Sequence, residues 1–321
     1  MYSFEELALQ FKEKFEVPHF PAHPASLYEP NNYFLTLGGK RIRPVLCLMG
    51  NELFEEINPD AFHVAAAIEL FHNFTLIHDD IMDKAPLRRG MQTVHEKYGS
   101  STALLAGDVM LVAAYDYLNK INNSYSRKII HHFNKTAREV CEGQQLDMDF
   151  EKKDNVHLDE YLKMIELKTS VLLASSLKMG AILGGAGLGN QQLIYEFGKN
   201  LGIAFQVQDD YLDAFGDPEK FGKQKGGDII ANKKTFLLIH ALEAGNSTQQ
   251  SHLKELLNSN NPDKVEKVVR LFQETAVDKW AVDLKEKYMA SAMQNLEDIA
   301  VISSRKQPLS TLANYLMTRA H

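Results

Sequence analysis

Apolar residues recur at helical spacing along most of the chain, and sustained alternation of the kind typical of strands is absent. Two segments show the helical spacing most clearly, 158–179 and 193–212. All prolines lie before residue 87 or after residue 217. Since proline costs about 3 kcal/mol inside a helix, this gap indicates a long helical tract. The pattern predicts about ten to thirteen helices in a single all-α domain that spans residues 1–321.

Capping signals mark where some of these helices begin. Asn58 is followed by proline and aspartate, which supply an N-cap, a proline at the first helical position and an acid facing the helix dipole. Ser3 and Glu6 have the spacing of a capping box. The clearest irregular segments expected are Pro18–Pro30 and Gly216–Gly227.

Composition narrows the possible functions. A formal net charge of −7 over 321 residues argues against nucleic acid as a partner, because proteins that bind phosphate backbones carry a basic surplus. The two cysteines, Cys47 and Cys141, cannot form a disulfide framework, which favours a reducing compartment. The best candidate for a membrane span, 171–189, contains Lys178 and five glycines and is too polar. We therefore expect a cytoplasmic protein with no membrane span.

One local pattern occurs twice, 130 residues apart: an apolar run that ends in three carboxylates at positions i, i+1 and i+4. The first copy is Phe74–Asp83 and the second is Ile203–Asp213. On a helix these positions fall within an arc of about 100°, so each copy presents its carboxylates on one side. The six acids are Asp79, Asp80, Asp83, Asp209, Asp210 and Asp213.

A single triplet of this kind is most simply a solvated helix end or a set of surface ion pairs. Two copies beside apolar runs favour a metal site, because clustered anions repel and are costly to bury without a counter-charge. Carboxylate oxygens suit magnesium, with phosphate completing its coordination shell. Cysteine is absent from both segments and histidine is scarce, which disfavours zinc.

Basic residues stand in separate clusters that match a polyanionic ligand. Arginine pairs can bind phosphate in a bidentate manner, and glycine-rich turns let backbone amides approach it. Each cluster alone could be solvated surface, but their occurrence with both acidic triplets indicates a phosphate ligand. The clusters are 38–44, Arg88–Gly90, Lys168–Thr169, Lys223–Asp228 and Lys233–Thr235.

In their order along the chain, these motifs resemble those of the trans-isoprenyl diphosphate synthases, the polyprenyl synthetase family. The resemblance covers nearly the whole chain and is greatest to the short-chain geranylgeranyl and farnesyl diphosphate synthases. It implies the isoprenoid synthase fold, a helical bundle around a central cavity, and a homodimer. The motifs are GGKRIRP at 38–44, DDIMD at 79–83, RRG at 88–90, GQQLD at 143–147, KT at 168–169, FQVQDD at 205–210 and GKQKGGD at 222–228.

The resemblance also implies a role for each motif residue. Magnesium, three ions per active site, would bridge the allylic diphosphate to Asp79, Asp83, Asp209 and Asp213, with Asp80 and Asp210 in support. Isopentenyl diphosphate would be held without metal by Lys40, Arg43, His72 and Arg89. The allylic diphosphate would contact Arg88, Lys168, Lys223 and Lys233, although Lys234 could take the place of Lys233. The expected catalytic residues are Lys168 and, lining the space where a carbocation forms, Thr169 and Gln206.

The implied reaction joins isopentenyl diphosphate head-to-tail to dimethylallyl, geranyl or farnesyl diphosphate, giving an all-trans product. The allylic carbon–oxygen bond ionises, the isopentenyl double bond attacks the cation, and loss of a proton to the departed diphosphate restores an alkene. A lone histidine in an apolar helix is more often structural. His72, however, precedes Asp79 by two helical turns on the same face, which favours a substrate contact.

In this family the side chains just before the first acidic motif form the floor of the chain-elongation tunnel. Phe71, Phe74 and Thr75 occupy those positions here. The phenyl ring of Phe74 should block long products, unless it is only core packing. The first motif also lacks the two extra residues usual in bacterial farnesyl synthases. We therefore expect a product of twenty carbons, with fifteen as the alternative.

Two rival functions fit part of the pattern. A terpene cyclase shares the helical bundle and the first acidic motif, but it needs neither the segment 38–44 nor a second acidic motif. A non-catalytic subunit of a heteromeric synthase would be expected to lack an acidic motif or the basic clusters, and all are present. The sequence therefore predicts a magnesium-dependent trans-prenyltransferase.

Overall fold

The computed structural model describes residues 1–216, 226–259 and 262–318. The chain forms two compact units. Unit 1 comprises Met1–Phe133 and Ser176–Gln191, and unit 2 comprises Asn134–Ser175 and the described residues after Gln191.

Unit 1 is built from helices and one short hairpin. Helix α4 packs against α3 and α6, because its apolar residues surround it on nearly every side and most of them are buried. The elements in chain order are α1 (Phe4–Phe15), α2 (Ala25–Thr36), α3 (Ile42–Glu52), α4 (Asp60–Met82), β1 (Leu87–Arg88), β2 (Met91–Gln92), α5 (Val94–Tyr98) and α6 (Ser100–Leu118).

The elements of regular secondary structure among the described residues of unit 2 are all helical. Three long helices contribute residues to both units: α7 (Asn123–Lys152), α9 (Val171–Leu183) and α10 (Leu188–Phe215). A hydrophobic core within unit 2 contains Val207, Phe236 and Phe272. The other elements are α8 (Leu158–Ile165), a π-helix (Glu166–Ser170), α11 (Gly227–Ile230), α12 (Phe236–Ala244), α13 (Ser247–Leu257), α14 (Lys264–Glu274), α15 (Val277–Glu297) and α16 (Ser303–Thr318).

The capping box predicted at Ser3 is present. Ser3 Oγ accepts from the Glu6 amide at 3.2 Å, and the Glu6 carboxylate accepts from the Ser3 amide at 2.7 Å. Before α4, the Asn58 side chain accepts from the amide of Asp60 at 3.0 Å. The residue that precedes the helix is Pro59, however, so the prediction of Asn58 as the N-cap was wrong by one residue. The expectation that all of Pro18–Pro30 is irregular was wrong, because α2 begins at Ala25 and includes a buried Pro30. Tertiary packing there outweighs the cost of proline in a helix.

The prediction of an all-α fold is confirmed. The described residues form more helical segments than expected because one-turn segments, such as α5 and α11, interrupt the longer ones. That the chain is a single domain around a central cavity stays a prediction. Among the described residues, no helix combines the length and apolar character that crossing a membrane requires.

Candidate active site

The first acidic motif lies at the C-terminal end of α4. Asp79 and Asp80 belong to the last turn, and Asp83 follows it, with its amide donating to the carbonyl of Asp79 at 2.8 Å. Asp80 is only 1% exposed. Its carboxylate accepts from Arg88 Nε at 2.8 and 3.0 Å and from Arg88 Nη2 at 2.8 Å. Asp83 is exposed and forms no ion pair with another described residue. The protein thus neutralises the middle carboxylate of this motif.

The motif Arg88-Arg89-Gly90 forms the turn of the β-hairpin. Arg88 pairs with Met91 across the two strands. Arg89 (φ 54°) and Gly90 (φ 78°) both have the positive φ that a tight two-residue hairpin turn requires. The turn directs the two arginines to different partners, Arg88 to Asp80 and Arg89 to the loop before α3.

The loop between α2 and α3 lies against the guanidinium of Arg89. A Cβ atom added to Gly39 (φ 149°) would lie 3.0 Å from both Nη1 and Nη2 of Arg89. Glycine at this position therefore allows the close approach and adopts a backbone conformation that other residues avoid. Lys40 is exposed on the same loop, so the structure brings two of the four residues predicted to hold isopentenyl diphosphate to one place.

The other two residues predicted for that role, Arg43 and His72, are in contact. Arg43 Nη1 lies 3.0 Å from His72 Nε2. Because a guanidinium only donates, Nε2 accepts, and the proton of the neutral ring is assigned to Nδ1. Burial lowers the pKa of His72 well below its usual value, and the charges of Arg43 and Arg89 lower it further. Burial also lowers the pKa of Arg43 to about 10. Neutral His72 therefore orients Arg43 and adds no positive charge.

A buried glutamate outside the recognised motifs joins this region. Glu69 is 3% exposed, forms an ion pair with Arg41 and accepts from Asn73 Nδ2 at 3.3 Å. It precedes His72 by three residues on α4 and so shares its face. That spacing is the signal by which the sequence could have identified it. We call Lys40, Arg43, His72 and Arg89 the basic cluster. The ion pair with Glu69 holds Arg41 beside this cluster.

Two aromatic contacts fix the ring of Phe74 on α4. The ring centroids of Phe74 and Phe71 are 5.6 Å apart, and those of Phe74 and His78 are 4.7 Å apart in an edge-on arrangement. Thr75 Oγ1 donates to the carbonyl of His72 at 2.8 Å. Phe74 and Thr75 are half-buried, whereas Phe71 is fully buried. Of the three predicted tunnel residues, Phe71 is therefore held in the core and supports the Phe74 ring.

The second acidic motif lies near the C-terminal end of α10. Asp210 is 5% exposed and accepts from the hydroxyl of Tyr161 and from Gln206 Nε2, the latter at 2.8 Å. Burial and the nearby charge of Asp228 raise the pKa of Asp210 to about 7, and the two hydrogen bonds oppose that shift. No described residue forms an ion pair with Asp209. Here the middle carboxylate is held by neutral donors.

Asp213 contacts the described end of the 222–228 motif. Its Oδ2 accepts from the amide of Asp228 at 3.0 Å, and Asp228 forms an ion pair with Lys233 at 3.4 Å. Lys234 Nζ donates instead to the carbonyl of Phe150, at 2.7 Å, near the end of α7. Because Lys234 donates to the backbone near the end of α7, we expect Lys233 and not Lys234 to contact a substrate.

The π-helix carries Lys168 and Thr169. Lys168 Nζ donates to Asp147 Oδ2 at 2.6 Å, and Thr169 Oγ1 donates to Gln206 Oε1 at 3.5 Å. A Cβ added to Gly143 on α7 would lie 2.3 Å from the Lys168 amide nitrogen, so glycine there permits the close approach of the two helices. π-Helical turns often occur at functional sites.

The predicted site residues are divided between the two units. Lys223 lies outside the described residues. Within the described ranges, no three His, Cys, Asp or Glu side chains are already grouped as a metal site. Unit 1 holds Lys40, Arg43, Phe71, His72, Phe74, Thr75, Asp79, Asp80, Asp83, Arg88 and Arg89; unit 2 holds Lys168, Thr169, Gln206, Asp209, Asp210, Asp213 and Lys233.

Comparison with known proteins identifies the family. The sequence model described as Polyprenyl synthetase matches residues 24–275. The chain belongs to the polyprenyl synthetase family. This family member is 44% identical over 224 residues to the geranylgeranyl diphosphate synthase of Methanosarcina mazei, an alignment that covers 69% of each chain. It is 38% identical over 312 residues to the geranylgeranyl pyrophosphate synthase of Geoglobus acetivorans, covering 96% of each.

A solved structure agrees with this assignment. The crystal structure of a geranylgeranyl pyrophosphate synthase matches with a TM-score of 0.95 at 44% identity and covers 99% of both chains. The predictions of the family and of a trans-prenyltransferase of short-chain type are confirmed. Three residues that contact the site were absent from the predicted set of site residues. Tyr161 bonds to Asp210, Asp228 bonds to Asp213, and Glu69 pairs with Arg41.

Proposed function

We propose that this polyprenyl synthetase is a magnesium-dependent enzyme that adds isopentenyl diphosphate head-to-tail to an allylic diphosphate. The expected product is an all-trans prenyl diphosphate of twenty carbons, with fifteen as the alternative. The observation that carries the proposal is that the middle acid of each motif has different partners from the acids that flank it. Protein groups satisfy Asp80 and Asp210, while the acids on either side of them supply hard oxygen ligands.

The donor chemistry of these flanking acids fits magnesium. Asp79, Asp83, Asp209 and Asp213 offer carboxylate oxygens, and Asp83 and Asp209 form no ion pair with a described residue. Magnesium prefers oxygen ligands, takes few carboxylates per ion and completes its shell with phosphate. When bound, magnesium would stabilise the negative charge that develops on the leaving diphosphate.

The basic cluster of unit 1 is proposed to hold isopentenyl diphosphate without metal. Arg43 and Arg89 supply guanidinium groups that can bind phosphate oxygens in a bidentate manner. Neutral His72 fixes the direction of Arg43 through the 3.0 Å contact. Glu69 balances Arg41, so part of the positive charge in this region is already compensated before the diphosphate binds.

Thr169 and Gln206 are proposed to face the allylic carbon as it becomes positively charged. Their oxygens are dipoles without formal charge, so they stabilise a cation and capture it less readily than a carboxylate would. Water would quench the cation, which requires that bound substrates be shielded from solvent. The leaving diphosphate then accepts the proton that is lost when the new double bond forms.

Phe74 is proposed to limit product length. Its ring is held by Phe71 and His78, so a growing chain that reaches it cannot displace it freely. Thr75 is smaller, and its hydroxyl turns back to the helix backbone, which leaves part of the width open. This arrangement supports a short product and disfavours one of thirty carbons or more.

A homodimer is part of the proposal. Helix α6 exposes Leu104 (50%), Leu105 (55%) and Val112 (60%), and exposed apolar side chains on one helix support contact with a second copy of the chain. Sedimentation of the purified protein tests this: a monomer at micromolar concentration would contradict it.

The proposed reaction is tested with purified protein, magnesium, isopentenyl diphosphate and each of the three allylic primers. Linear products that disappear with a metal chelator and return with added magnesium would support the proposal. Cyclic hydrocarbons would instead indicate a terpene cyclase. No turnover with any primer would indicate a non-catalytic subunit and refute the proposal.

A further inference from the structure

Four side chains of unit 2 form a continuous hydrogen-bonded chain. The Tyr161 hydroxyl donates to Asp210 Oδ2, Gln206 Nε2 donates to Asp210 Oδ1 at 2.8 Å, and Thr169 Oγ1 donates to Gln206 Oε1 at 3.5 Å. We propose that Tyr161 is a positioning residue: by anchoring Asp210, it fixes the amide of Gln206 with its oxygen toward Thr169. This inference rests on the proposed function, in which Gln206 and Thr169 face the allylic carbon.

The chemistry of an amide explains why an anchor is needed. The two ends of a glutamine amide have opposite polarity, so a turn of the group would present N–H donors where a developing cation needs an oxygen. The carboxylate of Asp210 accepts hydrogen bonds, and it therefore selects the nitrogen end of Gln206. This contact fixes the position of the Gln206 amide only if the carboxylate is itself held in place, and the hydrogen bond from Tyr161 to its other oxygen does so.

The location of Tyr161 suits this role. Its side chain is 5% exposed and belongs to the hydrophobic core of unit 2, where its ring centroid lies 6.2 Å from that of Phe236. The phenol is thereby held by packing, and its hydroxyl donates a hydrogen bond to Asp210. Tyr161 on α8 and Thr169 on the π-helix belong to consecutive helical segments, while Gln206 and Asp210 are one turn apart on α10. The two ends of the chain of hydrogen bonds, Tyr161 and Thr169, are therefore held by α8 and by the π-helix that follows it.

Tyr161→Phe removes only the hydroxyl and keeps the packed ring. We expect kcat for condensation to fall about tenfold or more, since misplacing a reacting contact by about 1 Å can cost about a hundredfold. KM for both diphosphates should stay within about twofold, because no diphosphate contact is removed. Tyr288→Phe is the matched control: Tyr288 packs on the same core, and no described residue accepts from its hydroxyl. Its kcat should equal that of the wild type.

A double-mutant cycle tests whether Tyr161 acts through Gln206. Gln206→Ala lowers kcat by itself, and adding Tyr161→Phe should then cost little more, because the group to be positioned is gone. Losses that multiply would overturn the inference, and so would a kcat of Tyr161→Phe equal to that of Tyr288→Phe. A rise in KM together with a fall in the thermal midpoint would indicate a merely structural role and overturn it as well.

If Tyr161→Phe does not fold, Asp210→Asn makes the same test. Tyr161 and Gln206 donate to different oxygens of Asp210, and an asparagine has an NH2 donor at one of these two positions. One of the two bonds is therefore lost, so kcat should again fall while KM for isopentenyl diphosphate is unchanged. An unchanged kcat would refute the inference. The wild-type chain is measured first: absence of condensation there refutes the proposed function, whereas wild-type turnover with an unaffected Tyr161→Phe refutes this inference alone.

Discussion

Arg88→Met removes the cation that neutralises the buried Asp80 carboxylate at the end of α4. The pair is close, with three contacts between 2.8 and 3.0 Å. The side chain of Asp80 is 2% exposed and that of Arg88 is 24% exposed. Methionine fills a similar length without charge, so the change leaves an unpaired carboxylate beneath the motif that carries Asp79 and Asp83.

The expected cost follows from this burial. Removing one partner of a buried ion pair typically costs about 3–5 kcal/mol. Because water reaches part of Arg88, we expect the free energy of unfolding to fall by about 2–4 kcal/mol at pH 7. Denaturant unfolding followed by circular dichroism measures the loss.

Two variants make this test specific. Arg89→Met changes the neighbouring arginine, which is exposed and does not bond to Asp80, so it should cost less than about 1 kcal/mol. Arg88→Met combined with Asp80→Asn leaves no charge to bury and should regain at least half of the loss. The reasoning would be refuted if Arg88→Met cost no more than Arg89→Met, or if adding Asp80→Asn regained none of the loss.

Three further changes test the rest of unit 1. Phe74→Ala should lengthen the product by at least one isoprene unit, measured by chromatography of the dephosphorylated products; unchanged lengths would show that the tunnel floor lies elsewhere. Gly39→Ala should raise KM for isopentenyl diphosphate about tenfold, equivalent to about 1.4 kcal/mol, by displacing Arg89, and an equal rise in KM for the allylic substrate would contradict this. Because burial lowers the pKa of His72, the ring takes up a proton on unfolding. Stability should therefore fall below about pH 6.5, with a shallower fall in His72→Gln; identical pH profiles would exclude this linkage.

The features that the sequence predicted correctly are local ones. A helix has a fixed period, so the spacing of Asp79, Asp80 and Asp83 alone places them on one side. The capping residue Ser3 acts within three residues of its own position and makes the hydrogen bond expected. The family motifs are also short and ordered along the chain, which is why the family could be predicted before any contact was known.

The partners of those motifs depend on the fold and were not predicted. Tyr161 contacts Asp210 across 49 positions of the chain, and no periodicity links residues so far apart. The π-helix was likewise missed, because the segment 158–179 keeps an ordinary helical spacing of apolar residues. Its extra residue per turn depends on neighbouring contacts, such as the close approach of Gly143 to Lys168, which the pattern of apolar residues does not encode.

The two acidic motifs share a spacing but differ in how the protein neutralises them. In the first, the guanidinium of Arg88 offsets one of three carboxylates. In the second, Tyr161 and Gln206 give Asp210 two hydrogen bonds and no positive charge. Burial, with the added repulsion of Asp228, then raises the pKa of Asp210 to about 7. Because anions repel most strongly where water is excluded, we expect the second motif to gain more from the proposed divalent cation. One sequence pattern therefore encodes two carboxylate clusters that the described residues hold differently, the first through an arginine and the second through neutral donors.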